Sequence, residues 1–76
     1  MFCININLEN SVRPLISIII LNYNAGKLLI NCVESIKKSN FQNFEIIVVD
    51  NNSNDESHLI CKKKNKKIIL INILKN

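Results

Sequence analysis

The chain has 76 residues, is 47% hydrophobic yet 5% aromatic with no Trp, and carries a formal charge of +4. That length allows one small domain, burying roughly 60–65% of its unfolded surface. The scarcity of aromatics excludes an aromatic recognition surface and points to an aliphatic, sheet-rich core, while a single Gly and a single Pro exclude a disordered or low-complexity chain.

Residues 1–14 alternate Ile4, Ile6 and Leu8 against Asn5 and Asn7, and read as a leader or a short edge strand, closed by Pro14. Met1 to Leu15 lacks the basic start and long apolar run of an export signal. Leu15 to Leu21 is a strand with apolar character on both faces and is far too short to span a bilayer. Asn22-Tyr23-Asn24-Ala25-Gly26 is a turn, with Asn24 as the expected N-cap of a helix over about Ala25 to Lys38. Leu29, Cys32, Val33 and Ile36 share one face of that helix, and Lys37 and Lys38 suit the negative pole at its end.

Phe44 to Val49 is the second strand. Its unbroken apolar run predicts burial on both faces, as in a parallel sheet. Ser53 and Glu56 have capping-box spacing, so a second helix is expected from about Asn54 to Lys64, with a thin apolar face of Leu59, Ile60 and Cys61. Ile68 to Leu74 is a third strand. The order strand, helix, strand, helix, strand predicts an α/β fold, a three-layer Rossmann-like parallel sheet joined by right-handed crossovers. The domain is placed at residues 15–76.

Asp50 falls at the carboxyl end of the second strand, the edge where open α/β sheets bind ligands. It reads either as a turn former or as an acceptor for a base or a sugar hydroxyl. Other site types fit poorly. Asp50-x-Asn52-x-Asn54 opens like a calcium loop but has Asp55 where Gly is needed and Cys61 where Glu is needed. The turn after the first strand has one Gly, against the three of a dinucleotide fingerprint. Three cysteines without a CxxC pair, and one His, supply no zinc set and fit a reducing, cytoplasmic setting. Lys62 to Lys67 lacks interleaved aromatics and Arg, so no nucleic-acid partner is expected; it reads as a solvated helix end. What remains is two turns, Asn22, Tyr23 and Asn24 on one and Asp50, Asn51 and Ser53 on the other. On neighbouring strands they would rise on one edge and grip one nucleotide, Tyr23 stacking and Asp50 accepting a base N–H.

Ile16 to Asn24, then Leu29, Cys32 and Glu34-Ser35-Ile36, then Phe44 to Asp55, resemble the start of a family-two glycosyltransferase of GT-A type. The Leu21-Asn22-Tyr23-Asn24 form is similar to the branch containing rhamnosyltransferases. The resemblance implies an inverting transferase of hexosyl or rhamnosyl type using a UDP- or dTDP-sugar donor. It matches Tyr23 and Asp50 to the positions that hold the donor's base, with Asn51, Ser53 and Asp55 in the following turn. Asn52 stands in place of the common Gly, a position Asn can fill because it tolerates a left-handed backbone. The family's metal-binding Asp-x-Asp and catalytic base lie beyond the resemblance, with Asn76 matched to the start of the next motif. Mg²⁺ or Mn²⁺ and peripheral membrane association are therefore expectations for a full-length member. This chain is expected to be an N-terminal, donor-binding fragment without turnover. The competing expectations are a small non-catalytic nucleotide-binding module and a basic interaction protein. In the family's sheet the first strand is central, so an aliphatic edge beside it is expected to lie open and invite aggregation.

Overall fold

The computed structural model describes residues 2–7, 16–39 and 43–74. Leu8, Pro14, Leu15 and Asn76, to which the sequence assigned roles, lie outside the described residues. The elements are β1 (Phe2–Asn7), β2 (Ile16–Asn22), α1 (Lys27–Lys37), β3 (Phe44–Asp50), α2 (Ser57–Lys64) and β4 (Ile69–Asn72). They form an α/β unit around one sheet of strand order β1-β2-β3-β4.

The β2, β3 and β4 strands are parallel, as the crossover pattern requires, with Ile18 opposite Ile46, Ile20 opposite Val48 and Asn22 opposite Asp50. The sheet is not wholly parallel, because β1 pairs antiparallel with β2 along its six residues, Phe2 opposite Leu21 through Asn7 opposite Ile16. This corrects the expectation of an open edge beside the first strand. The chain's own amino-terminal ribbon takes that place.

Strand order running one way, with right-handed crossovers, puts both helices on the same side of the sheet. The core agrees: Leu29 and Val33 of α1 and Cys61 of α2 close on Ile20, Ile46 and Val48, with Ile68 beneath. Burying such a side chain stabilises by roughly 1.5–3 kcal/mol. Cys32 and Ile36 pack against the same core from α1. Burial first, and then the Glu34 charge, pushes the Cys61 thiol up, so it serves as a small apolar filler.

The described residues thus form two layers, and the third layer expected from the sequence has no element among them. Pleating sends Ile19 and Leu21, Ile47 and Val49, and Ile69 and Ile71 to the opposite face. These side chains are half-buried or exposed, Ile71 at 47%. The burial of β3 on both faces is therefore realised on one side only: Ile46, Val48 and Asp50 are buried, and their alternate neighbours are intermediate.

Both helices start later than their sequence signals suggest. The α1 helix follows Gly26, which adopts φ +57°, ψ −130°, a conformation that side-chain-bearing residues rarely take. Asn24 is not the cap: it sits at φ +49°, and its side chain reaches the other loop. The α2 helix follows Glu56, at φ +60° in the left-handed region. Ser53 does not complete a capping box, because its N–H goes to Asp50 and its Oγ accepts the Asn24 N–H instead of one from the helix. The buried face of α2 is Ser57, His58 and Cys61, while Leu59 and Ile60 are exposed. The third strand is shorter than expected, although the Ile73 N–H still donates to the Asp50 carbonyl.

Candidate functional site at the carboxyl edge of the sheet

The Asn22–Asp50 register pair puts the ends of β2 and β3 side by side, so both following turns rise on one edge. The Asn51 N–H continues the ladder onto the Asn22 carbonyl. The two turns are then laced together by side chains. Asn24 Oδ1 accepts the Asn54 N–H at 2.7 Å and the Asp55 N–H at 3.3 Å. Ser53 Oγ accepts the Asn24 N–H at 2.9 Å. Asp55 Oδ2 accepts the Gly26 N–H and Oδ1 the Ser57 N–H, each at 2.9 Å, so one exposed carboxylate ties the starts of both helices. Asn52 takes φ +56°, the left-handed conformation that its place in the turn required.

Beneath this lacing lies a buried polar cluster. Asn22 and Asp50 are each 1% exposed. Asn22 Nδ2 donates to Asp50 Oδ1 at 2.8 Å and to Ser57 Oγ at 2.9 Å, with a longer contact to Ser53 Oγ. The carboxylate can only accept, which fixes the amide orientation. Ser53 donates twice, its hydroxyl to Asp50 Oδ1 at 2.7 Å and its N–H to Oδ2 at 2.9 Å. Burial pushes the Asp50 carboxyl up, but the Ser53 N–H and hydroxyl, the Asn22 amide and the His58 charge outweigh it and hold the group below its ordinary value of 3.8.

Of the six residues singled out in the sequence, Asn22, Asp50 and Ser53 meet in this cluster and Asn24 joins through Ser53. Tyr23 and Asn51 stand on the rim; Tyr23 is 55% exposed and Asn51 is exposed. Sequence reasoning missed Ser57 and His58. His58 is 8% exposed, and its Nδ1 approaches Asp50 Oδ1 to 3.4 Å. The available signal was the weakness of the α2 apolar stripe: a helix that cannot bury Leu59 and Ile60 together has to bury something else.

Among the described residues, no three of His, Cys, Asp and Glu gather in a way that could hold a metal ion. Asp50 Oδ1 is taken by Ser53 and Asn22, and Asp55 by the helix starts, so these two described carboxylates do not pair to hold a divalent cation. No described helix is long and apolar enough to cross a membrane. A cavity of about 840 Å³ opens at the other end of the sheet, between Lys37, Phe44, Glu45, Lys64 and Ile68, and includes none of the candidate residues. Nearby, Lys62 Nζ donates to the Lys66 and Ile68 carbonyls and Lys37 Nζ to Asn65 Oδ1, so these two cations close the α2–β4 turn from within.

The profile of glycosyl transferase family 2 matches residues 17–76. The glycosyltransferase GlyG of Streptococcus pneumoniae is 53% identical over 50 residues, covering 66% of this chain and 17% of that protein. An uncharacterized protein of Mycobacterium tuberculosis, MT1568, is 43% identical over 52 residues, 68% of this chain and 16% of its own length. An uncharacterized glycosyltransferase of Rickettsia prowazekii, RP339, is 37% identical over 60 residues, 79% and 19% of the respective lengths. The chain thus spans less than a fifth of the curated relatives it matches. No solved structure matches it.

Proposed function

The chain belongs to glycosyl transferase family 2, and from that premise we propose that it forms the donor-nucleotide part of a transferase that moves a sugar from a nucleotide diphosphate. The observation that carries this reading is the pairing of Asn22 with Asp50 at the ends of neighbouring parallel strands, beneath a rim holding Tyr23 and Asn51. Tyr23 leaves a ring face open to stack on a pyrimidine. Oδ2 of Asp50 accepts one hydrogen bond, from Ser53, and keeps acceptor capacity for a base N–H. At 1% exposure the carboxylate is closed in, so that contact requires the Asn51–Asn52 turn above it to shift. Asn24, Ser53 and Asp55 keep the two turns together while this happens.

The finer reading is an inverting hexosyl or rhamnosyl transferase taking a UDP- or dTDP-sugar, acting in the cytoplasm. The divalent cation of such a reaction, Mg²⁺ or Mn²⁺, would need carboxylates other than Asp50 and Asp55. The isolated 76-residue chain is accordingly proposed to bind a nucleotide without turning it over. Calorimetric titration with UDP and dTDP tests this. The expected result is weak binding, lost in Asp50→Asn and weakened by roughly tenfold in Tyr23→Ala, the size of one stacked base. A folded chain that binds neither nucleotide overturns the reading, and sugar transfer by the purified chain overturns the absence of turnover.

A further inference from the structure

Two buried polar atoms beside Asp50 have no hydrogen-bond partner among the described residues: Asn22 Oδ1 and His58 Nδ1. The Asn22 atom follows from the amide orientation, since Nδ2 must face the carboxylate. The His58 atom needs a different account. It points at an anionic oxygen 3.4 Å away, in a place closed to water, from the first turn of α2. A bare nitrogen lone pair there would face a carboxylate lone pair, and in low dielectric that repulsion is not screened. With a hydrogen on Nδ1, the same approach is attractive and falls just outside ordinary hydrogen-bond length.

We propose that His58 is a positioning residue for the donor site, holding its proton on Nδ1 and donating it to Asp50 Oδ1. This rests on the nucleotide reading above and goes beyond it in naming what orients the carboxylate. The two oxygens of Asp50 are treated unequally. Oδ1 already takes the Asn22 amide and the Ser53 hydroxyl, and His58 adds a third donor on the same side. Oδ2 takes a single N–H. His58 thereby fixes which oxygen is saturated and which stays available to a ligand, and resists rotation of the carboxylate when the turn above it opens. Ser57, its neighbour on α2, accepts from the Asn22 amide, so the first turn of α2 steadies the ends of both central strands.

The chain has one histidine, so its imidazole signals need no assignment. Long-range ¹H–¹⁵N spectra of the full chain are expected to show Nδ1 protonated; a spectrum of the tautomer protonated on Nε2 alone overturns the proposal. UDP affinity provides the second arm. His58→Asn can place an amide N–H where Nδ1–H stood, and is expected to stay near the parent affinity. His58→Gln and His58→Leu are expected to lose affinity by about tenfold, the size of one hydrogen bond to a charged group. Melting curves on the same samples identify variants that remain folded. A folded His58→Leu chain with parental affinity overturns the proposal. A parent chain that binds no UDP yet shows Nδ1 protonated removes the nucleotide reading and leaves the His58–Asp50 pairing standing.

Discussion

The Gly26 N–H and the Asp55 carboxylate meet at 2.9 Å across two loops that are 29 residues apart in sequence. The other oxygen of Asp55 takes the Ser57 N–H, so one side chain joins the residue before α1 to the first residue of α2. Its partners act in concert: the Ser57 hydroxyl and N–H, then the Gly26 N–H, hold the Asp55 carboxyl below its ordinary value. Asp55→Ala is expected to lower the melting temperature by roughly a few degrees, and Asp55→Asn by less, because an amide oxygen still accepts but carries no charge for the helix starts. Circular dichroism melts check this order.

Acid sensitivity follows from the same pair of loops. Asp50 and Asp55 both have carboxyls held below 3.8, so the folded state binds their protons less readily than the unfolded chain does. Their stabilisation is fully present above the ordinary value and is lost as the pH falls through the lower folded values. The contribution of these two carboxyls to the melting temperature is expected to be level above about pH 5 and to fall below about pH 4. In the double variant Asp50→Asn, Asp55→Asn, where it still folds, that part of the slope should vanish; an unchanged slope would show that other groups carry it.

Two positions in the loops pull against each other. Glu56 holds φ +60° without the freedom of Gly, and an L-residue there costs roughly 1–2 kcal/mol. Glu56→Gly is expected to raise stability by about 1 kcal/mol after the added freedom of the unfolded chain is counted. Gly26→Ala should do the reverse, by roughly 1–3 kcal/mol. A Cβ at Gly26 would meet Asp55 Oδ2 at 3.8 Å, an ordinary contact, so the cost comes from the backbone and not from crowding. Chemical denaturation of the two variants measures both.

The sheet face away from the helices is aliphatic, with Leu21, Ile69 and Ile71 exposed alongside half-buried Ile19, Ile47 and Val49. Among the described strands, β4 pairs on one side only. Concentration-dependent self-association is therefore expected, though through this face and the β4 edge, not beside β2. Ile69→Lys with Ile71→Lys should shift the chain toward monomer in sedimentation or light scattering, since neither side chain belongs to the buried core.

The runs Leu15 to Leu21 and Phe44 to Val49 announced two parallel strands, and the helix between them implied the crossover. That both turns would rise on one edge followed once the strands were neighbours, but the direct bond between Asn22 and Asp50 was not read from it. The helix starts were not legible either. Asn24 and Ser53 carry good local capping signals, but each is claimed by a partner 29 or more residues away, and local spacing holds no record of such a contact. The buried side of α2 was hidden for a related reason. Ser57 and His58 go inward because Asn22 and Asp50 bring polar groups to the sheet end, and a polar floor selects polar side chains above it.

The pairing of Phe2–Asn7 with Ile16 to Leu21 of β2 also decides where this sheet can grow. With that berth occupied, an added strand finds unclaimed backbone donors and acceptors, among the described strands, along the outer edges of β1 and β4. Any segment that would sit next to β2 must first peel the ribbon off, making the amino-terminal stretch a rival for that seat.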